Sequence, residues 1–407
     1  PTRASQPESI QVNGRTSDFD YDPHSEAITT ARNDQGTRTY TYTRQGYLRR
    51  SEWEDVKGDR YWCDYSSSLQ GLPLGYSDSD GVVVAHAYDD LGRVEKTTQG
   101  DLQATFTYDA AGRVETALTS DLANGQSLRC EHTYDDLGRE VSRNLTLTRS
   151  DASTLAQQIT QVWREDDQLH SRTLSRDGVQ VLLESFDYNV LDRLEHHTCE
   201  GTLLPRNAQG REIVSQFFIY DALDNLTECY TDFADGQVDE ATFTYEGFLL
   251  RKAEHSLQPD YPAVQLFTHD ADGNLLNDEW GNRLVYDDAG RLSEVRSADD
   301  TQSLFKYRFD SHDDLLGITQ GSAPEVLRRY QGYRVSSTLE VDVLTQYLYA
   351  GDRPLGSQQS TGAANNQLFL TDPANSVIAE SSATALHETR YSAYGETPSD
   401  GGLQGLL

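Results

Sequence analysis

The sequence YDDLGRV at residues 88–94 recurs as YDAAGRV at residues 108–114 and returns from Tyr134 and from Tyr286. Five weaker copies of this frame raise the number to nine; they start at Trp163, Tyr188, Tyr220, His269 and Phe309. A degenerate tenth copy starts at Tyr245. The spacing between rings varies, which favours a unit of two short strands over a helical solenoid of fixed period.

Each column of the frame has a physical interpretation. The residue after the ring is Asp in seven of the nine frames, and we predict that its carboxylate accepts backbone N–H groups two or three residues on. The fifth position is only Gly or Asp, which indicates a left-handed backbone. The sixth is often Arg or Asn, suited to bridging the turn, and the mostly apolar seventh re-enters a strand facing the packed side.

Residues before the ring alternate as in a strand, for example TFTY at residues 105–108. Each unit is therefore predicted to be a hairpin, and consecutive hairpins to form a long antiparallel sheet in an all-β fold. The predicted structural turn residues of the four best frames are Tyr88, Asp89, Gly92, Arg93, Tyr108, Asp109, Gly112, Arg113, Tyr134, Asp135, Gly138, Arg139, Tyr286, Asp287, Gly290 and Arg291.

The composition favours a folded chain with a large solvent-exposed surface. Of the 407 residues 36% are hydrophobic, and 23 are Tyr, whose ring packs while its hydroxyl stays in water. The net charge of −32 opposes binding to nucleic acid and to anionic lipid. No run of 18 apolar residues occurs, so we expect no membrane insertion. The start at Pro1 and the lack of Met predict a fragment or a processed product.

Metal sites and cofactors are not expected from the sequence. Cys63, Cys130, Cys199 and Cys229 show no metal-binding spacing and are predicted to be four buried thiols. The adjacent His196 and His197 should point to opposite faces of a strand. The segment 270–274 resembles a calcium loop, but Glu279 falls at the tenth position rather than the twelfth, and a repeat turn explains it better.

Two further hypotheses concern the paired acids and the tryptophans. Paired acids such as Asp89-Asp90, Asp135-Asp136 and Asp287-Asp288 could act as hydrolytic carboxylates. They recur at one turn position, however, and turn closure explains the recurrence better than one active site does. The tryptophans could stack on sugars, although aromatic ladders that stiffen the sheet are the simpler explanation; they are Trp53, Trp62, Trp163 and Trp280.

With these frames in place, the chain resembles the RHS/YD-repeat family, and the later residues extend the likeness. YLYAGDRPL at residues 347–355 resembles the last repeats before the terminal core of that family. LTDPANSV at residues 370–377 resembles its TD-x-x-G-S-V segment, with Asn375 where Gly is usual. RYSAYGE at residues 390–396 resembles its RY-x-x-YG segment, and residues 401–407 resemble the lead-in to the GFNGE sequence of C components of tripartite insecticidal Tc toxin complexes.

The resemblance implies a fold and a function. Family members wind their sheet spirally into a hollow cocoon around a C-terminal toxin domain, and an aspartic autoprotease often releases that domain. Both parts would lie beyond Leu407, so this chain is expected to be no enzyme and to have no catalytic residues. The implied division is a degenerate N-terminal repeat region at 1–80, the YD-repeat sheet at 81–320 and the start of the RHS-associated core at 321–407.

Three functions compete at this point. The first is the shell of a secreted bacterial toxin, with the enclosed toxin polypeptide, a B-component-like shell partner and a translocation pore component as expected partners. Type VI-secreted Rhs effectors are the next nearest relatives on this reading. The second is a secreted or surface carbohydrate-binding adhesion module, and the third is a hydrolase that uses turn carboxylates. An acidic lumen, if the shell has one, would attract a basic cargo.

Overall fold

Strand boundaries in the computed structural model coincide with the repeat frame. The structure describes residues 6–12, 15–56, 58–258, 260–362 and 365–398. In eight of the nine frames the ring is the last residue of one strand and the seventh position starts the next, as at Tyr88 and Val94. In the ninth frame, an isolated antiparallel bridge joins His269 to Leu275. No α-helix occurs in the described residues, and the predicted all-β fold is confirmed.

The described residues divide into two compact units. Unit 1 comprises residues 1–105, 283–350 and 357–365, and unit 2 comprises residues 106–282, 351–356 and 366–407, including the undescribed residues within those ranges.

Unit 1 contains the first nine strands and seven later ones. They are β1 (Ser9–Val12), β2 (Arg15–Tyr21), β3 (Ile28–Asn33), β4 (Gly36–Tyr42), β5 (Leu48–Asp55), β6 (Arg60–Ser67), β7 (Pro73–Asp78), β8 (Val83–Tyr88), β9 (Val94–Gln99), β23 (Arg283–Tyr286), β24 (Leu292–Arg296), β25 (Ser303–Phe309), β26 (Leu315–Gln320), β27 (Val326–Gln331), β28 (Arg334–Glu340) and β29 (Val343–Ala350). An apolar cluster in this unit joins Val82, Val84 and Leu344.

Unit 2 contains the longest hairpins. Its strands are β11 (Val114–Asp121), β12 (Gln126–Tyr134), β13 (Glu140–Thr148), β14 (Thr154–Trp163), β15 (Leu169–Arg176), β16 (Val179–Tyr188), β17 (Leu194–Gly201), β18 (Ile213–Tyr220), β19 (Leu226–Phe233), β20 (Val238–Glu246), β21 (Leu249–His255), β22 (Val264–Leu266), β31 (Gln367–Thr371), β32 (Val377–Ser381) and β33 (Leu386–Glu388). The division between the units falls within β10 (Leu102–Tyr108) and β30 (Arg353–Gln359).

Pairing is antiparallel between strands that follow one another in sequence, in sheets of 22 and 11 strands. The pairing shifts register by one residue at the ring of the YD hairpins. In β12 and β13, Tyr134 pairs with Glu140 while Thr133 pairs with Ser142, which leaves Val141 as the extra residue of a bulge. The bulge increases the local twist where each hairpin leaves its turn, and it re-aims the ring.

Burial alternates along the strands of unit 2, but the packed face is unusually polar. Leu145 and Leu147 on β13 are fully buried, and each such side chain contributes roughly 1.5–3 kcal/mol. The same face also buries charged and polar groups, among them Arg143, Glu184 and His197. Buried charges are tolerated only when paired, so partners for these groups have to come from neighbouring strands.

Candidate functional site at the repeat turns

The carboxylate of Asp89 closes its turn from within. Its Oδ1 accepts the N–H groups of Leu91 at 3.0 Å and Arg93 at 2.9 Å. These donors lie two and four residues on, so the prediction of two or three was wrong for the second donor. The N–H three residues on, that of Gly92, instead donates to the main-chain oxygen of Asp89 at 2.9 Å. In a simple Asx turn the side-chain oxygen accepts the N–H two residues on; here it also accepts the N–H four residues on.

The other three best frames repeat this geometry. In each, the carboxylate accepts N–H groups two and four residues on at 2.9–3.0 Å; the carboxylates are those of Asp109, Asp135 and Asp287. The Arg at the sixth position returns its Nε–H to the same carboxylate at 2.7–2.8 Å. The backbone N–H of Arg93 and then its guanidinium hold the pKa of Asp89 below its ordinary value.

The fifth position has a positive φ in all nine frames. The glycines Gly92, Gly112, Gly138, Gly273 and Gly290 have φ values between 78° and 88°. The aspartates at this position have φ values between 62° and 67°; they are Asp167, Asp192, Asp224 and Asp313. Glycine enters this region without a steric penalty, and Asp is among the few other residues that tolerate it. This explains why the column admits only these two residue types.

The turns are also bonded to one another, which the sequence alone did not predict. Arg139 Nη1 donates to the main-chain oxygen of Arg164 at 2.9 Å and to Asp167 Oδ1 at 2.8 Å in the next frame. Arg193 makes the same pair of bonds to Asp221 and Asp224 at 2.9 and 2.7 Å. The sixth-position arginine therefore closes its own turn or contacts the next one, and Arg139 does both.

The aromatic ring is the second link between consecutive frames. The Tyr134 hydroxyl donates to the main-chain oxygen of Val114 at 2.8 Å, and Tyr220 donates to Leu194 at 2.7 Å. The Arg113 guanidinium lies over the Tyr134 ring, 4.4 Å from its centroid. In each case the ring of one frame contacts the sixth or seventh position of the frame before it. We call this set of bonds between turns 109–113, 135–139, 164–168, 189–193 and 221–225 the turn ladder.

The same turn occurs outside the nine frames. Asp278, Asp372 and Ser392 each start a turn in which the first N–H donates four residues on and the fourth N–H donates back to the first residue. The fourth residue of each of these turns again has a positive φ; the three residues are Gly281, Asn375 and Gly395. A search for Asp or Ser three residues before Gly or Asn, without requiring a ring, would have found them.

The paired acids have different roles within one turn. Asp135 closes its turn, whereas Asp136 is exposed. At residues 270–274, Asp270 Oδ1 accepts the N–H groups of Asp272 and Asn274 at 3.0 and 2.8 Å. The segment is therefore a repeat turn, and its first carboxylate is engaged by that turn.

The four tryptophans differ in how far their rings are exposed for stacking on a sugar. Trp53 is buried, and Arg50 and Arg139 lie over the rings of Trp62 and Trp163. Trp280 alone among the four is more than half exposed, at 54%.

The prediction of four buried thiols was wrong for one cysteine. Cys63, Cys130 and Cys199 are buried thiols, but Cys229 is only half-buried because it lies in the first half of β19, where neither face is fully covered. His196 is exposed and His197 is buried, so the adjacent histidines do point to opposite faces.

A buried polar network in unit 2 was not predicted. Arg143 pairs with Glu140 at 2.7 Å and donates to Thr371 Oγ1 at 3.0 Å and to the main-chain oxygen of Asp372. Arg172 pairs with Glu184 at 2.7 Å and with Asp372 Oδ2 at 3.1 Å. Two arginines from different hairpins thus hold the turn at residues 371–376. We call Glu140, Arg143, Asp372, Arg172 and Glu184 the buried ion chain.

A family model for the RHS repeat matches residues 88–127. The chain therefore contains an RHS repeat at these residues. No curated protein matches it. Within the described residues, no helix could cross a membrane.

Solved structures share the fold of this chain. The Tc holotoxin pore of Photorhabdus luminescens, with a mutated TccC3, aligns over 98% of the chain at 16% identity with a TM-score of 0.72. A TcdB2-TccC3 complex without its hypervariable C-terminal region aligns over 94% at 12% identity with a TM-score of 0.58, and a TcdB2-TccC3-Cdc42 complex over 96% at 13% with 0.56. The chain spans 22–25% of the length of these structures' chains.

Proposed function

We propose that the chain is a wall segment of a bacterial toxin shell, which encloses a C-terminal toxic polypeptide until the polypeptide is delivered. The observation that carries the proposal is the turn ladder, which bonds consecutive hairpins at their turns as well as along their strands. Such a sheet resists bending and fraying without a thick apolar core on both faces. The fold shared with Tc toxin structures over nearly the whole chain supports the same function.

The remaining parts of the proposal follow from the shell role. The chain is structural, and any autoprotease or toxin activity would belong to residues after Leu407. Residues 321–407 are the start of the RHS-associated core, after the degenerate repeats of 1–80 and the repeat sheet of 81–320. The partners are the enclosed polypeptide, a B-component-like shell protein and a translocation pore component, and the complex is secreted or delivered from the bacterium.

Cryo-electron microscopy of the purified chain, alone and with a B-component-like partner, tests the shell. We expect a curved sheet wall that borders an internal cavity large enough for a polypeptide. A solid particle with no cavity in either sample would overturn the proposal. If a cavity is present, its surface potential should be negative to suit a basic cargo, as the net charge of −32 suggests.

A carbohydrate-binding function remains as a second candidate because the Trp280 ring is more than half exposed. It lies at the third position of the turn formed by residues 278–282, where a sugar could stack on it. A glycan array with the wild-type chain and with Trp280→Ala tests this function. Binding that the substitution removes would favour adhesion, and signals equal to background for both proteins would eliminate it.

A further inference from the structure

Two cysteine–histidine pairs lie on the packed face of unit 2. Cys130 and His132 are two residues apart on β12, as are His197 and Cys199 on β17, so each pair shares one face of its strand. The distance from Sγ to Nε2 is 3.2 Å in the first pair and 3.3 Å in the second. Each histidine also contacts a glutamate at 3.1 Å. The two sites therefore have the same composition.

They differ in what faces Nε2 of the histidine. At His132 the glutamate, Glu140, is on the Nδ1 side. The guanidinium of Arg353 takes the Nε2 side, with Nη1 2.9 Å from Nε2 and 3.9 Å from Cys130 Sγ. A cation of the protein itself thus contacts both the imidazole and the thiol.

At His197 the glutamate and the thiol converge on the same nitrogen. Glu184 Oε1 is 3.1 Å and Cys199 Sγ is 3.3 Å from Nε2, and the three ligand atoms lie within 4.8 Å of one another. All three residues are buried. The Nε2 side of the imidazole, which faces the Arg353 guanidinium at His132, faces the Glu184 carboxylate at His197.

Strand register builds this convergence. Glu184 on β16 pairs directly with Cys199 on β17, and Phe186 pairs with His197. The Phe186 and His197 rings stack with centroids 4.9 Å apart and planes 10° apart, which fixes the imidazole. Arg172 holds the other carboxylate oxygen, Oε2, at 2.7 Å and so directs Oε1 toward the imidazole, as outer-sphere partners of metal ligands do.

We propose that Glu184, His197 and Cys199 bind a divalent transition-metal ion, with Zn²⁺ the best match. Tetrahedral Zn²⁺ with bonds of about 2.0–2.3 Å places its ligand atoms about 3.3–3.6 Å apart, close to the two distances found. The thiolate disfavours Ca²⁺ and Mg²⁺. The ion displaces the Cys199 proton to solvent, and a carboxylate, a thiolate and a neutral imidazole then balance its charge. Water completes the coordination.

The consequence is a cross-link inside unit 2. The ion joins β16 to β17 and, through Glu184 and Arg172, stiffens the contact with the Asp372 turn. Binding to the folded state alone raises stability by mass action. Zn²⁺ should therefore raise the melting temperature of the full chain, and a chelator should reverse the increase.

Titration of the metal-free full chain with Co²⁺, under reducing conditions, tests the site. We expect one Co²⁺ per chain, a sulfur-to-cobalt charge-transfer band in the near ultraviolet and visible bands typical of tetrahedral cobalt, all displaced by Zn²⁺. Cys199→Ser should lose the charge-transfer band. Cys130→Ser is the matched control and should keep it, because Arg353 occupies that site.

Two results would overturn the proposal: a wild-type chain without the charge-transfer band, or a band that Cys130→Ser removes and Cys199→Ser leaves. If Cys199→Ser fails to fold, thiol alkylation of the wild-type chain in mild urea decides instead, with mass spectrometry reporting each cysteine. Zn²⁺ should slow the modification of Cys199 at least tenfold more than that of Cys130. Equal effects on both cysteines would contradict the assignment.

Discussion

Arg139 and Arg143 lie four residues apart, and each holds a carboxylate with its Nε at 2.7 Å. Arg139 belongs to the turn ladder, where it and Asp135 are 21% and 23% exposed. Arg143 belongs to the buried ion chain, where it and Glu140 are 3% and 14% exposed. The two pairs share one geometry under different solvation.

Solvation decides what each pair contributes. Water screens the turn pair, so the direct attraction between its charges contributes little. The Asp135 carboxylate stabilises the turn mainly by accepting the backbone N–H groups of Leu137 and Arg139. The buried pair has lost its water, and removing one partner leaves an uncompensated charge. The turn ladder should therefore tolerate single substitutions, whereas the buried ion chain should not.

Arg143→Ala should have the largest effect because it leaves Glu140 buried without its guanidinium. We expect a loss of about 3–5 kcal/mol in the free energy of unfolding, measured by urea denaturation. The matched control is Arg129→Ala on β12, whose pair with Glu131 is half exposed at 49% and 45%. Its cost should stay below about 1 kcal/mol. Equal costs would show that burial does not separate the two regions.

The next largest effect should be the stability that the buried pair of Glu140 and Arg143 loses in acid. Burial by itself would raise the pKa of Glu140, but hydrogen bonds from Arg143 and His132 outweigh it and lower that pKa to about 2. A lowered pKa in the folded state contributes stability above the ordinary value of 4.5, and this contribution is lost as the pH falls from there toward 2.

Urea denaturation of the wild-type chain and of Glu140→Gln from pH 7 to pH 2 measures that contribution. The difference in unfolding free energy between the two proteins should be largest above pH 4.5 and should vanish near pH 2. A difference that stays constant over this range would mean that Glu140 has the same pKa in both states.

Asp135→Ala should have a smaller effect, since water can reach the freed groups. It removes the acceptor for the N–H groups of Leu137 and Arg139, and we expect a loss of unfolding free energy well below that of Arg143→Ala. Asp136→Ala changes an exposed neighbour and should cost less than about 0.5 kcal/mol. Denaturation midpoints check both, and a hydrolytic activity that either substitution abolished would revive the hydrolase hypothesis.

A small effect should also come from backbone strain at one turn. A Cβ at Gly112 would meet nothing within 4 Å, but φ there is 83°. Gly112→Ala should therefore cost about 1–2 kcal/mol from conformation alone. Gly112→Asp should cost less, because Asp192 and Asp224 already adopt this conformation in the chain. Thermal melts that rank Asp below Ala would contradict this explanation of the column.

Much of the hairpin could be predicted because its interactions are local. Asp89, Gly92 and Arg93 complete their hydrogen bonds within five residues, so residue spacing alone specifies them. The turns starting at Asp278 and Asp372 were missed because their frames were sought from an aromatic ring, which links one turn to the next and is not needed for closing a turn.

The order of strand, ring, turn and strand in each repeat follows from residue spacing, since those contacts join residues a few positions apart. Which Arg reaches which neighbouring turn, and that Glu184 faces Cys199, became visible only in the folded chain. Those contacts depend on the register between strands and on chain returning from more than 200 residues away, as Thr371 does to Arg143. Charged groups on the buried face of unit 2 also need partners there, because a buried charge without a partner is costly.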